Sequence, residues 1–151
     1  MRIGSLSIIV GVALSLAGTA AVFAQDAFVV PTAPEEIVAA RQALMKEDGG
    51  ILRTAGGLTG DEAVTAMKTI ITNYSHIPAL FPEGSIVGDS EALPIIWDNF
   101  DEFTAIVDTG TEAAKTAMAA AETGDATAYG AALKALGASC GACHQQFRKP
   151  Q

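Results

Sequence analysis

Apolar positions along this chain recur at steps of three and four, and four stretches carry the pattern. The first is expected to start near Thr32 and run to about Ala55. Ile37, Arg41, Leu44, Met45, Ile51 and Leu52 fall on one side of it. Thr32 and Glu35 have capping-box spacing, with Pro34 in the first turn. Gly49-Gly50 weakens the helix by roughly 1 kcal/mol per glycine relative to alanine, but Ile51-Leu52 resume the stripe beyond it. The second stretch follows Gly56-Gly57-Leu58-Thr59-Gly60, with Thr59 and Glu62 as a second capping box. Ala63, Met67, Ile70, Tyr74 and Ile77 mark its buried stripe, and Pro78 ends it. A connection rich in proline and glycine leads to a third helix near Pro94. Its apolar face holds Ile96, Phe100, Phe103 and Val107, continued by Ala114, Ala117, Met118 and Ala121, with a bend expected at Gly110. Gly124-Asp125 turns the chain into a fourth helix from about Ala126 to Lys149, whose seam is Tyr129, Leu133, Leu136, Cys140, Cys143 and Phe147. No period-two alternation bounded by hairpin turns occurs, so the fold class is all-α, an antiparallel four-helix bundle.

The seam of the last helix holds the most specific chemistry in the chain: Cys140-Gly141-Ala142-Cys143-His144. C-x-x-C-H is the attachment signature of a c-type haem, with two thioether links and an imidazole ligand to iron. Positions i, i+3 and i+4 share one helix face, so all three side chains can meet one flat macrocycle. A thioredoxin-type redox pair would need a strand before the helix, whereas the residues before Cys140 read as helix. A structural zinc site needs four ligands, and the chain has two Cys and two His, with His76 far away in sequence. One covalent haem c is therefore expected, consuming both cysteines.

The N-terminus changes the compartment. Arg2, the apolar run of residues 8–17 and Val22-Phe23-Ala24 form a secretory signal peptide over residues 1–24, cleaved before Gln25. The alternative, a retained membrane anchor, is disfavoured by the Ser, Gly and Thr that interrupt the run. Removing 24 of the 151 residues leaves 127, a single domain over residues 25–151, and takes the net charge from −8 to −9. That charge argues against nucleic acid and anionic membrane surfaces as partners. No other apolar run is long enough to span a bilayer, so no stable membrane insertion is expected after cleavage. The mature protein is expected in the periplasm.

A C-terminal C-x-x-C-H on a four-helix pattern resembles the class II cytochromes c, the group of cytochrome c′ and its low-spin, methionine-ligated relatives. Arg41-Gln42-Ala43-Leu44-Met45-Lys46 resembles the first-helix segment that crosses the distal haem face. Leu80-Phe81-Pro82-Glu83-Gly84-Ser85 resembles the loop between helices two and three, and Pro94-Ile95-Ile96-Trp97 the opening of helix three. Cys140 to Arg148 resembles the attachment helix, so the likeness covers almost all of the mature chain. It implies thioethers at Cys140 and Cys143, His144 as proximal ligand and Arg148 beside the proximal face. It also implies Arg41 near a haem propionate, Phe81 near the haem edge, and Gln42 and Asp89 at the periphery.

Met45 decides the chemistry that the resemblance implies. In the low-spin branch a methionine here binds iron through its thioether, and His/Met ligation suits electron transfer. In cytochrome c′ the position is usually a non-ligating apolar residue, and methionine is also a good filler of core gaps. The leading expectation is thus a periplasmic one-electron carrier with His144 and Met45 as iron ligands, working with redox partner proteins. The alternative is a five-coordinate protein that binds nitric oxide or carbon monoxide. Peroxidase-like catalysis ranks last, because no His or acidic residue lies in Arg41–Lys46, and an enzyme is not expected. The resemblance is compatible with a homodimer through the first two helices. His76 reads as a helix C-terminal dipole partner, and Asp98, Asp101, Glu102 and Asp108 read as a solvated face. Trp97 reads as core or haem-side packing.

Overall fold

The structure is a computed structural model that describes residues 28–150; the expected signal peptide lies outside them. Four long helices carry the fold: α1 (Pro34–Ala55), α2 (Gly60–His76), α4 (Phe100–Thr123) and α5 (Ala126–Phe147). A one-turn helix, α3 (Ile95–Asp98), precedes α4, and a 3-10 turn at Pro78–Leu80 follows α2. The expected third helix is thus two pieces. Asn99 leaves helical geometry at φ −124° and ψ 41° and separates them. The stripe of α2 is buried as expected, with Ala63, Met67 and Ile70 at 0 % exposure. Burial of Met67 and of Ile70 contributes about 1.5–3 kcal/mol each.

Two expectations about helix ends fail. Neither the Thr32 nor the Thr59 hydroxyl accepts a capping hydrogen bond: the first N-cap is Ala33, and Thr59 caps α2 without a side-chain hydrogen bond. Acidic residues in the first turns, Glu35-Glu36 and Asp61-Glu62, favour these ends through the helix dipole instead. The turn into α5 follows its sequence. Gly124 takes the left-handed conformation at φ 72°, and the Asp125 carboxylate accepts from Ala128 N at 2.9 Å.

Gly110 does not interrupt α4, which runs unbroken from Phe100 to Thr123. It sits in the middle of α4, buried, where a Cβ would lie 2.2 Å from Tyr74 Cε1 and 2.6 Å from Ser139 Oγ. Glycine here lets α2 and α5 approach α4 closely. The helix α4 accordingly packs closely against both α2 and α5, whereas α1 leans on α2 and scarcely touches α5. The resulting gap between α1 and α5 is where the chemistry lies. The far end of α1 is held by Tyr129 Oη, which donates to the carbonyl of Ala55 at 3.1 Å.

The C-terminus also departs from expectation. α5 stops at Phe147, and Arg148 is extended and bridges antiparallel to Ala92. Leu93 N donates to Phe147 O and Lys149 N to Glu91 O, at 2.9 and 2.8 Å. Arg148 pairs with Glu91 at 3.0 Å, and Lys149 Nζ reaches Ser90 O at 2.7 Å. The loop before α3 thereby fixes the end of the helix that carries His144.

Candidate functional site

Cys140, Cys143 and His144 share the face of α5 that looks across the gap, and the burial of Ser139 and Phe147 sets the rotation of that helix. Opposite them, Arg41, Met45, Asp48 and Leu52 follow one another along α1 at helical spacing. Two cavities fill the gap. The outer one, about 300 Å³, is walled by Arg41, Met45, Phe81, Phe103, His144 and Arg148 among others. The inner one, about 170 Å³, is walled by Met45, Asp48, Leu52, Tyr74, Cys140 and Val107 among others. Met45, Cys143 and His144 belong to both. The space is thus a largely apolar slot that passes between Met45 on one side and Cys143 and His144 on the other.

The polar groups at the outer end fit a flat apolar group with an anionic edge. Arg41 is buried at 5 % exposure, its Nη2 donates to Ser85 O, and its guanidinium lies 4.6 Å from the Phe81 ring centroid. Burial lowers its pKa, and its Nη1 has no partner. A buried cationic donor without an acceptor costs free energy that a carboxylate restores. Haem propionates carry such carboxylates, so the donor set fits the group that C-x-x-C-H implies.

Protonation favours the same chemistry. The pKa of His144 is held down by partial burial, then by the Arg148 charge, against an opposing pull from Glu91. The ring is therefore neutral at neutral pH, the form in which imidazole binds a metal. Cys143 is pushed up to about 11, by burial and then by Cys140. Both cysteines are free thiols and half-buried. Tyr74 Oη lies 3.1 Å from Cys140 Sγ, and burial followed by that sulfur raises the phenol pKa. Among the described residues no group of three or more His, Cys, Asp or Glu side chains is placed to hold a metal ion.

The remaining expected residues divide. Gln42 and Phe81 line the outer cavity, while Asp89 is exposed elsewhere in the loop. Trp97 is half-buried and donates Nε1 to Phe81 O at 3.1 Å, so it braces the Phe81 loop. His76, in the last turn of α2, stacks on Phe28 with ring centroids 3.7 Å apart, and both border a groove on the α1–α2 face rather than the slot. Asp98, Asp101, Glu102 and Asp108 are exposed as expected.

Sequence reasoning missed Asp48. It is 4 % exposed, Oδ1 accepts from Asn73 Nδ2 at 2.8 Å, and Oδ2 has no partner. Burial, opposed by the Asn73 hydrogen bond and aided by Glu47, raises its pKa to about 6. The unfolded chain therefore loses this proton near pH 3.8 and the native protein near pH 6, so native stability falls as pH rises between the two. Asp48→Asn keeps the shape and the acceptor for Asn73. It is expected to stabilise the protein at pH 7 by on the order of 1–2 kcal/mol and to remove the loss between those pH values. Urea unfolding at both pH values checks this; equal stability of native and variant at pH 7 would contradict it.

Comparison with known proteins places this geometry. Residues 36–148 match the profile of the family described as Cytochrome C′. A cytochrome c-556 of Agrobacterium tumefaciens (strain II Chrys) is 39 % identical over 116 residues, covering 72 % of this chain and 93 % of that one. A cytochrome c′ of Pararhodospirillum photometricum is 32 % identical over 123 residues, covering 77 % and 98 %. The crystal structure of cytochrome c′ from Thermochromatium tepidum superimposes with a TM-score of 0.71 at 27 % identity, over 80 % of this chain and all of that one.

Proposed function

The chain belongs to the cytochrome c′ family, whose members carry one covalent haem c, and on that premise we propose that it is a periplasmic one-electron carrier with His144 and Met45 as its iron ligands. The observation that carries the proposal is the position of Met45. It is the residue of α1 that borders both cavities together with His144, and its thioether is a competent iron ligand. When bound, the haem supplies a one-electron iron couple whose potential depends on axial ligands and burial.

In this reading the chain's own residues do the following. Cys140 and Cys143 hold the thioether links from α5. His144 offers a neutral ring nitrogen. The Glu91–Arg148 pair and the bridge at Ala92 keep the end of α5 in place, so little rearrangement accompanies a change of oxidation state. Arg41 satisfies its unpaired Nη1 with a propionate. Phe81, Phe103 and Phe147 exclude water from the outer cavity. Lys46 and Gln42 are exposed at its rim, where a redox partner would approach. No catalytic residue is assigned.

The second reading is gas binding at five-coordinate iron. It draws support from the room beside Met45, where Gly49, Leu52, Ile77 and Ile106 leave apolar space for the side chain to move aside. Carbon monoxide added to the reduced, unmodified protein separates the two. The carrier reading expects no spectral change on mixing; rapid uptake would replace it with gas binding.

Export through a leader over residues 1–24 remains part of the proposal. Among the described residues no helix is long and apolar enough to cross a membrane. N-terminal sequencing of the purified protein is expected to begin at Gln25, and a retained leader would mean an anchored protein. A homodimer would use the groove between α1 and α2, lined by Ala40, Ala43, Leu44 and Ile51. Sedimentation analysis would give a mass of one chain if that is wrong.

A further inference from the structure

Asp48 is the feature of the slot that haem attachment leaves unexplained. It is the one aspartate buried among the described residues, and its Oδ2 has no hydrogen-bond partner. It borders the inner cavity beside Tyr74, Cys140, Cys143 and His144. A buried anion with one unsatisfied oxygen is costly, and a single proton removes most of that cost.

We propose that Asp48 is a redox-linked proton site, which takes up one proton from solvent as the bound haem accepts one electron from its donor. One electron and one proton enter together, so the net charge of the slot is unchanged; oxidation returns both, the electron to the acceptor and the proton to water. The proposal rests on haem attachment through Cys140 and Cys143, and it holds whether or not Met45 binds iron. In a low-dielectric slot, an added electron raises the energy of a nearby carboxylate and so strengthens its hold on a proton. The local hydrogen bonding suits both states. Asn73 donates to Oδ1 in either, and Oδ2 is free to carry the proton.

The groups around Asp48 set the direction. On α1, the like charge of Glu47 favours the protonated form. From α2, Asn73 favours the anion, and Tyr74 stays neutral with its hydroxyl at Cys140. From α4 the cavity receives only Ile106 and Val107, which carry no charge. From α5 come Ser139, the two cysteines and His144. His76 borders the separate α1–α2 groove on the other side of Asn73. Burial already holds the carboxyl at about 6, within reach of neutral pH.

The test is the midpoint potential of the haem-loaded protein between about pH 5 and 8, for the native chain and for Asp48→Asn. The native potential is expected to fall with rising pH, approaching a tenfold change in the reduction equilibrium constant per pH unit, which is about 59 mV for one electron. The variant is expected to be flat over the same range. A flat native profile, or a slope that survives in Asp48→Asn, overturns the proposal. A second measurement needs no variant: infrared difference spectra, reduced minus oxidised, of native protein labelled with carbon-13 at its aspartate carboxyls. A protonated-aspartate band that appears on reduction supports the proposal, and its absence overturns it even if Asp48→Asn fails to take up haem. The optical spectrum recorded in the same cell reports axial ligation, so a failure of Met45 as ligand shows there and not in the slope.

Discussion

Met45→Leu is expected to leave the bundle folded and to change the iron. The swap is nearly volume-conserving, and such changes usually cost less than ~1.5 kcal/mol. Met45 is half-buried and packs at the edge of the core rather than in it, which keeps the cost low. Leucine has no lone pair to offer, so the sixth position opens, the iron turns high-spin and the reduced variant binds carbon monoxide readily. Helical circular dichroism should be close to that of the native protein while the visible spectrum changes entirely. A variant with an unaltered low-spin spectrum would mean that another group ligates, or that Met45 never did.

Loss of the cysteines is the second large effect. Cys140→Ala or Cys143→Ala is expected to weaken or abolish the covalent link, and the double substitution to leave none. After denaturation, mass spectrometry of native protein matured in the periplasm should give the chain plus one haem, and the double variant the bare chain. Stability should fall with it, because a group bound only to the native state stabilises that state by mass action, and a covalent link makes its local concentration effectively saturating. The slot has few other means of closing. Arg41 Nη1 is left buried without a partner, so the bundle without haem carries an unsatisfied donor at a cost of about 1–3 kcal/mol. A native mass equal to the bare chain, under conditions in which haem maturation works, would contradict attachment at this motif.

Most of the fold was legible because its signal is periodic. The α2 stripe from Ala63 to Ile77 and the α5 seam from Tyr129 to Phe147 are buried or half-buried along their length. What the pattern could not resolve was local geometry. Pro94 and the apolar residues after it suggested one helix, but the break at Asn99 has no periodic signature, since Asn99 N still bonds Ile95 O and Asn99 O still accepts from Phe103 N. Gly110 read as a bend in the third helix, because glycine lowers helix propensity. Its actual role, admitting the Tyr74 ring and Ser139, depends on contacts from two other helices. The capping boxes matched in spacing only; the backbone left neither threonine bonded to its expected partner.

The site was legible to the extent that a contiguous motif encodes it. Cys140, Cys143 and His144 are near neighbours on one helix, so their spacing alone predicts a shared face. Arg41 and Met45 needed the family resemblance, because nothing in the first helix states that it faces the last. Asp48 escaped although the register contained it: Arg41, Met45, Asp48 and Leu52 step by four, three and four. An acidic residue between Glu47 and Gly49-Gly50 reads as solvated surface, and only its burial and the bond to Asn73 reveal otherwise. Tyr74 likewise read as core, which it is, while its hydroxyl reaches Cys140.

The most direct test of the central claim, a one-electron carrier ligated by His144 and Met45, is the optical spectrum of the unmodified protein in both oxidation states. The account predicts a sharp low-spin α band on reduction and a weak sulfur-to-iron charge-transfer band in the far red when oxidised. A high-spin spectrum in both states, without the far-red band, would contradict it.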